Sequence, residues 1–72
     1  MDKKIKFIIY CMELYKQAEN LNGSQVLDHF TEFGLFAYIQ EFYEILHMHG
    51  DTYILQELND YISERNAART YI

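Results

Sequence analysis

The run LFAYIQEFYEILHMH, residues 35–49, decides how this chain folds. At about 100° per residue, Leu35, Tyr38, Ile39, Phe42, Tyr43, Ile45, Leu46 and one edge of Phe36 fall on roughly half of a helix circumference. Ala37, Gln40, Glu41, Glu44, His47 and Met48 take the other half. A helix so divided has one face to bury, and the large rings on that face fix the spacing of whatever packs against it. The pattern predicts the central helix of a small helical domain.

Working outward, Gly34 precedes this run and Gly50 follows it. Gly34 suits the left-handed conformation that closes a preceding helix, and places Leu35 to meet Phe30 across the turn. That preceding helix opens at LNGSQV: Asn22 is a good N-cap, Gln25 lies where a capping box needs it, and Leu21 with Val26 can form a hydrophobic staple. It is expected to bury Val26, Leu27, Phe30 and Phe33. After Gly50, Asp51 is placed to cap a further helix in which Ile54, Leu55, Leu58, Tyr61 and Ile62 follow the i, i+3, i+4, i+7 rule. From Asn66 the pattern stops, so residues 66–72 read as a frayed or contact-ordered tail.

At the other end Asp2 can cap a first helix. Its apolar residues form two overlapping stripes, Ile5, Ile8, Ile9, Met12 and Tyr15 beside Phe7, Cys11, Leu14 and Ala18. This is more apolar circumference than one small domain can cover, which predicts a homodimer with Ile5, Ile9 and Met12 at its interface. The fold class expected is all-α: a single domain of four helices, at about 3–19, 23–33, 35–49 and 52–65, joined by short turns.

The composition agrees. Seventy-two residues, with no proline and a single cysteine, leave self-association or dense helix packing as the means of stabilising a small core. Basic residues ahead of FIIYCM have the outline of a signal peptide, but the apolar run is short, Glu13 and Lys16 interrupt it, and no small-residue cleavage site follows. No stretch approaches the roughly 20 apolar residues of a membrane helix. Cytoplasmic location is the expectation, and one thiol without a cysteine framework fits a reducing compartment.

Charge is distributed unevenly. All six Lys and Arg residues lie within positions 3–16 or 65–69, whereas residues 17–64 hold nine of the eleven carboxylates and no Lys or Arg. The middle helices therefore present an acidic exterior between basic ends. Although the segment around Gly34 invites comparison with a helix-turn-helix, its second helix opens with Leu35, Phe36, Ala37 and Tyr38 and continues with Glu41 and Glu44. That surface repels phosphates, so nucleic-acid binding is not expected. His47 and His49, two residues apart, point away from each other on a helix, and neither they nor His29 make a zinc pattern. Histidines in a last turn more often satisfy free carbonyls. Glu41, Glu44, Tyr43 and His47 lack the convergence that acid–base catalysis needs, and Cys11 has no basic neighbour to activate it. No catalytic residue, metal ligand or cofactor is assigned. What the exterior does offer is carboxylates, Asp28, Glu32, Glu41 and Glu44, with Tyr53 among several edge tyrosines, a combination suited to holding a basic protein partner.

The order FIIYCMELY at 7–15, LNGSQVLDHFTEFGLFAYIQEFYEILHMHG at 21–50 and DYI at 60–62 resembles a family of short bacterial proteins catalogued only as a domain of unknown function. The resemblance rests on the 23–30 segment, the Phe33-Gly34 turn, the 43–47 segment and the Tyr53-Ile54 pair. It carries over no activity and no catalytic residue. Members of that family tend to be encoded beside a protein that looks like an ADP-ribosyltransferase, so the resemblance implies an accessory or antitoxin-like role. The expectation is thus a small acidic interaction module, the alternative being a self-assembling structural homodimer with no separate partner.

Overall fold

The structure is a computed structural model that describes the backbone of residues 2–70 and the side chains of residues 2–67. It is all-α: helices α1 (Lys3–Ala18), α2 (Gly23–Glu32), α3 (Leu35–Glu41), α4 (Tyr43–Leu46) and α5 (Asp51–Thr70) follow one another in sequence order.

Local chemistry sets most of the ends. The Asp2 carboxylate accepts from the Lys4 amide at 2.7 Å and caps α1. Asn20, at φ 54°, takes the left-handed position that closes it, with the Asn20 and Leu21 amides donating to the carbonyls of Gln17 and Lys16. Asn22 and Gln25 complete the capping box in both directions, at 2.8 and 2.9 Å. Gly34, at φ 67°, ends α2 and opens α3.

The core is built from Ile8, Cys11 and Tyr15 of α1, Val26, Phe30 and Phe33 from α2 and its end, Leu35 and Ile39 of α3, Leu46 of α4, and Ile54 and Leu58 of α5. Phe30 bridges α1 and α3, its ring edge-on to Tyr15 at 5.7 Å and to Phe36 at 5.5 Å. The buried Tyr15 hydroxyl must find a partner, and it pairs with His29 Nδ1 at 2.9 Å. α3 does sit inside, with Leu35 and Ile39 fully buried, but α1 touches α2, α3 and α5 and is equally central.

Three boundaries depart from the sequence reading. The helix expected over 35–49 breaks at Phe42, whose φ of −103° and ψ of 20° leave the helical region, and α4 ends at Leu46. With the break, Leu46 enters the core and the Tyr43 ring meets Phe7 of α1 edge-on at 5.4 Å, while Phe42 and Ile45, expected inside, turn outward. Beyond it, Met48 and His49 donate to Ile45 and Leu46, three residues back, which tightens the last turn and stops the helix. Second, α5 runs through Thr70 rather than ending near 65, because a run with two alanines and neither Gly nor Pro keeps helical propensity after its apolar period has ended. Of the expected tail, Tyr71 and Ile72 lie outside the described residues. Third, Asp51 is the first helical residue and not the cap, the Gly50 carbonyl accepting the first bond, from Ile54. Leu27 is a further correction: half exposed, it lies off the Val26–Phe30–Phe33 face, where His29 stands instead.

Burial sets the alkaline limit of this fold. It pushes the Cys11 thiol from its ordinary 9.0 up to about 12, and burial followed by the nearby Glu57 carboxylate pushes the Tyr38 phenol from 10.0 up to about 12. Both groups are neutral when protonated, so the folded chain keeps protons that the unfolded chain releases. The stability tied to them is intact below about pH 9 and is lost as the pH rises toward about 12. Urea midpoints should therefore fall steadily across that interval; an unchanged midpoint up to pH 12 would contradict the assignment.

Candidate functional site

Two neighbouring elements carry the features that the core does not use. On the first, α1, the buried face is Ile8, Cys11 and Tyr15, so Ile5 and Ile9 fall on one flank at 49% and 48% exposure, with Met12 packed at the core's edge. Lys3, Lys4 and Lys6 accompany them in the first turns, at the helix end where the dipole disfavours cations. On the second, the break at Phe42 leaves Phe42, Ile45 and Met48 at 40%, 52% and 76% exposure, with exposed Glu41 and Glu44 interleaved among them. The Phe7–Tyr43 ring contact links the two elements on the sides turned away from these residues, Phe7 being two positions from Ile5 and Ile9, and Tyr43 two from Ile45.

Aromatic and imidazole rings fill the seam. Tyr43 stacks on His47 at 4.4 Å with nearly parallel planes, and His47 Nδ1 lies 2.8 Å from the Tyr43 carbonyl. The same carbonyl already accepts from the His47 backbone amide at 2.9 Å, so the ring meets a carbonyl that is not free, unlike the role expected of a last-turn histidine. His49 stacks on Tyr53 at 4.0 Å across the turn into α5. Tyr10 donates its hydroxyl to the Asp51 carboxylate, tying α1 to the start of α5. The same hydrogen bond, ahead of burial and the Asp51 charge, raises the Tyr10 phenol above its ordinary value. A phenol so held is a clasp.

Of the residues singled out from sequence, Asp28, Glu32, Glu41 and Glu44 are exposed and stand in two pairs, one on α2 and one at the α3–α4 junction. Tyr53 is half-buried against His49, so its ring is committed to its own chain. Ile5 and Ile9 are exposed as an interface would require, and Met12 is largely covered. Sequence reasoning missed the apolar company of Glu41 and Glu44, having placed Phe42 and Ile45 in the core and Met48 among polar residues. It also missed the Tyr10–Asp51 and Tyr15–His29 links. Only the second had a local signal, since His29 shares the buried face of α2 with Val26, Phe30 and Phe33.

Among the described residues no group of three or more His, Cys, Asp or Glu side chains is placed to hold a metal ion, and no helix is long and apolar enough to cross a membrane.

These features define a small all-α domain with charged and apolar patches on its outside. Residues 6–65 match the family described as "Protein of unknown function (DUF3791)", and the chain belongs to it. No curated protein and no solved structure shows a significant match to it.

Proposed function

We propose that the protein is a non-catalytic protein–protein interaction module whose acidic, apolar-studded exterior receives a basic protein surface. The observation that supports this most directly is the α4 knuckle, where Phe42, Ile45 and Met48 stand in solvent along the same short stretch as exposed Glu41 and Glu44. Exposed large side chains weaken solubility and add nothing to the core, and clustered apolar groups rimmed by charge are what protein-binding surfaces present. The charge order adds to it: nine carboxylates in residues 17–64 without one Lys or Arg forgo i, i+4 ion pairs worth about 0.2–0.5 kcal/mol each. A surface shaped for stability alone would mix the signs. One sign instead speeds encounter with a cationic partner and repels nucleic acid and membrane phosphates.

The family resemblance supplies the finer part of this proposal, a bacterial protein acting as an accessory or antitoxin-like partner of an ADP-ribosyltransferase-like enzyme encoded beside it; its cytoplasmic location is proposed from the sequence. In the second reading the chain is a structural homodimer with no other partner. Half-exposed Ile5 and Ile9 on α1 favour it. The two readings part in a co-expression experiment with the flanking gene product. Co-purification with the tagged chain at low salt, lost at high salt and lost when Glu41 and Glu44 become Gln, supports the module. A clean dimer that retains no enzyme at either salt leaves the structural reading alone.

A further inference from the structure

Along α1 one stripe of side chains lies outside the core: Ile5, Ile9, Met12 and Lys16, spaced four, three and four residues apart. That spacing keeps them on one line of the helix, and it is the spacing along which one helix packs on another. Ile5 and Ile9 are about half exposed, and Met12 and Lys16 partly so. The helix meets its own core through a different face, Ile8, Cys11 and Tyr15.

The charges beside the stripe indicate what covers it. One edge carries Lys6 and Glu13, both exposed, seven residues apart and opposite in sign; the other edge is Ile8 and Tyr15, buried in the chain's own core. Among the described residues Lys6 has no ion-pair partner, and Glu13 reaches only Lys16, at 4.0 Å on the surface. When two copies of one helix meet antiparallel about a two-fold axis, each edge runs beside the same edge of the other copy with its order reversed. Lys6 then comes beside the partner's Glu13, and Glu13 beside the partner's Lys6. A parallel contact would turn this edge toward Ile8 and Tyr15 of the second copy and pair neither charge.

We propose that α1 binds α1 of a second copy of this chain, antiparallel, with Ile9 against the partner's Met12, Ile5 against the methylenes of the partner's Lys16, and reciprocal Lys6–Glu13 pairs along the open edge. The proposal rests on the homodimer reading above and gives it a face and a direction. One 16-residue helix from each copy makes less than the roughly 1,600 Å² of a standard interface, so the dimer belongs to the weak class.

The test is sedimentation equilibrium between about 10 and 500 µM, a range suited to a weak dimer, with helical circular dichroism as the check on folding. Lys6→Glu and Glu13→Lys alter exposed positions, so both variants should fold. Each should weaken association by about tenfold, because two attractive contacts become two repulsive ones. Mixing the two variants should restore it, since one copy then carries carboxylates at both positions and the other carries ammonium groups at both. The two substitutions combined in one chain should restore it as well. Ile9→Glu should weaken association by at least about a hundredfold by placing a charge in the apolar stripe, whereas Ile45→Glu, as exposed but on α4, should leave it unchanged. A dimer that survives Ile9→Glu, charge variants as tightly associated as wild type, or variants that do not recover when mixed would overturn the antiparallel α1 contact while leaving a homodimer through another face. A wild type that is monomeric throughout the range would overturn the homodimer reading with it.

Discussion

Replacing Phe30 with Ala is expected to bring the folded state close to collapse. The side chain is fully buried, and its ring is the contact through which α2 meets both Tyr15 and Phe36. Truncating a buried phenylalanine removes its transfer free energy and leaves a cavity, about 3–5 kcal/mol together. A chain of 72 residues has roughly 4–11 kcal/mol to lose. Thermal unfolding followed by circular dichroism should show the midpoint lower by on the order of 15–30 °C, if a transition remains at all. Leu27→Ala is the matched control on the same helix: half exposed, it should change stability by no more than about 0.5 kcal/mol. Equal losses at the two positions would mean that the core is not where Phe30 places it.

The same contrast shows what a sequence discloses and what it withholds. The Asn22–Gln25 box and the Gly34 turn were legible because both are settled within a few residues by backbone groups that need partners. Ile54 and Leu58 were legible because a long helix with one apolar stripe has only one way to face a core. The break at Phe42 was not. Periodicity across 35–49 continues smoothly through it, and the rings that accompany the departure include Phe7, far upstream, against Tyr43. Nor does an apolar period mark where a helix stops: it reports burial, and the backbone stays helical through Thr70 after the period has ended. The candidate surface was half legible. Its carboxylates, Glu41 and Glu44, could be placed outside from spacing alone, whereas Phe42 and Ile45 could not, since the break that exposes them depends on tertiary contacts. The stacking of Tyr53 on His49 was illegible for the same reason, since it forms across a turn.

Substitution of Gly34 by Val is expected to be the most damaging change at any turn. At φ 67° the backbone between α2 and α3 is left-handed, a conformation that costs an L-residue about 1–2 kcal/mol and a β-branched one more. A Cβ built there meets nothing within 4 Å, so the penalty is conformational and owes nothing to a clash. Gly34→Ala should therefore destabilise by about 1 kcal/mol and Gly34→Val by about 2 kcal/mol or more. Gly34→Asn should fall well below both, since Asn20 of this chain already occupies the same region at φ 54°. Gly50 supplies the control: it is equally open around a Cβ, its φ is not positive, and Gly50→Ala should leave the melting midpoint nearly unchanged. The order Val, Ala, Asn in urea midpoints separates backbone strain from packing. If Asn proved as harmful as Val, the left-handed turn would not be what holds α2 and α3 at their angle, and the burial of Leu35 immediately after it would need another cause.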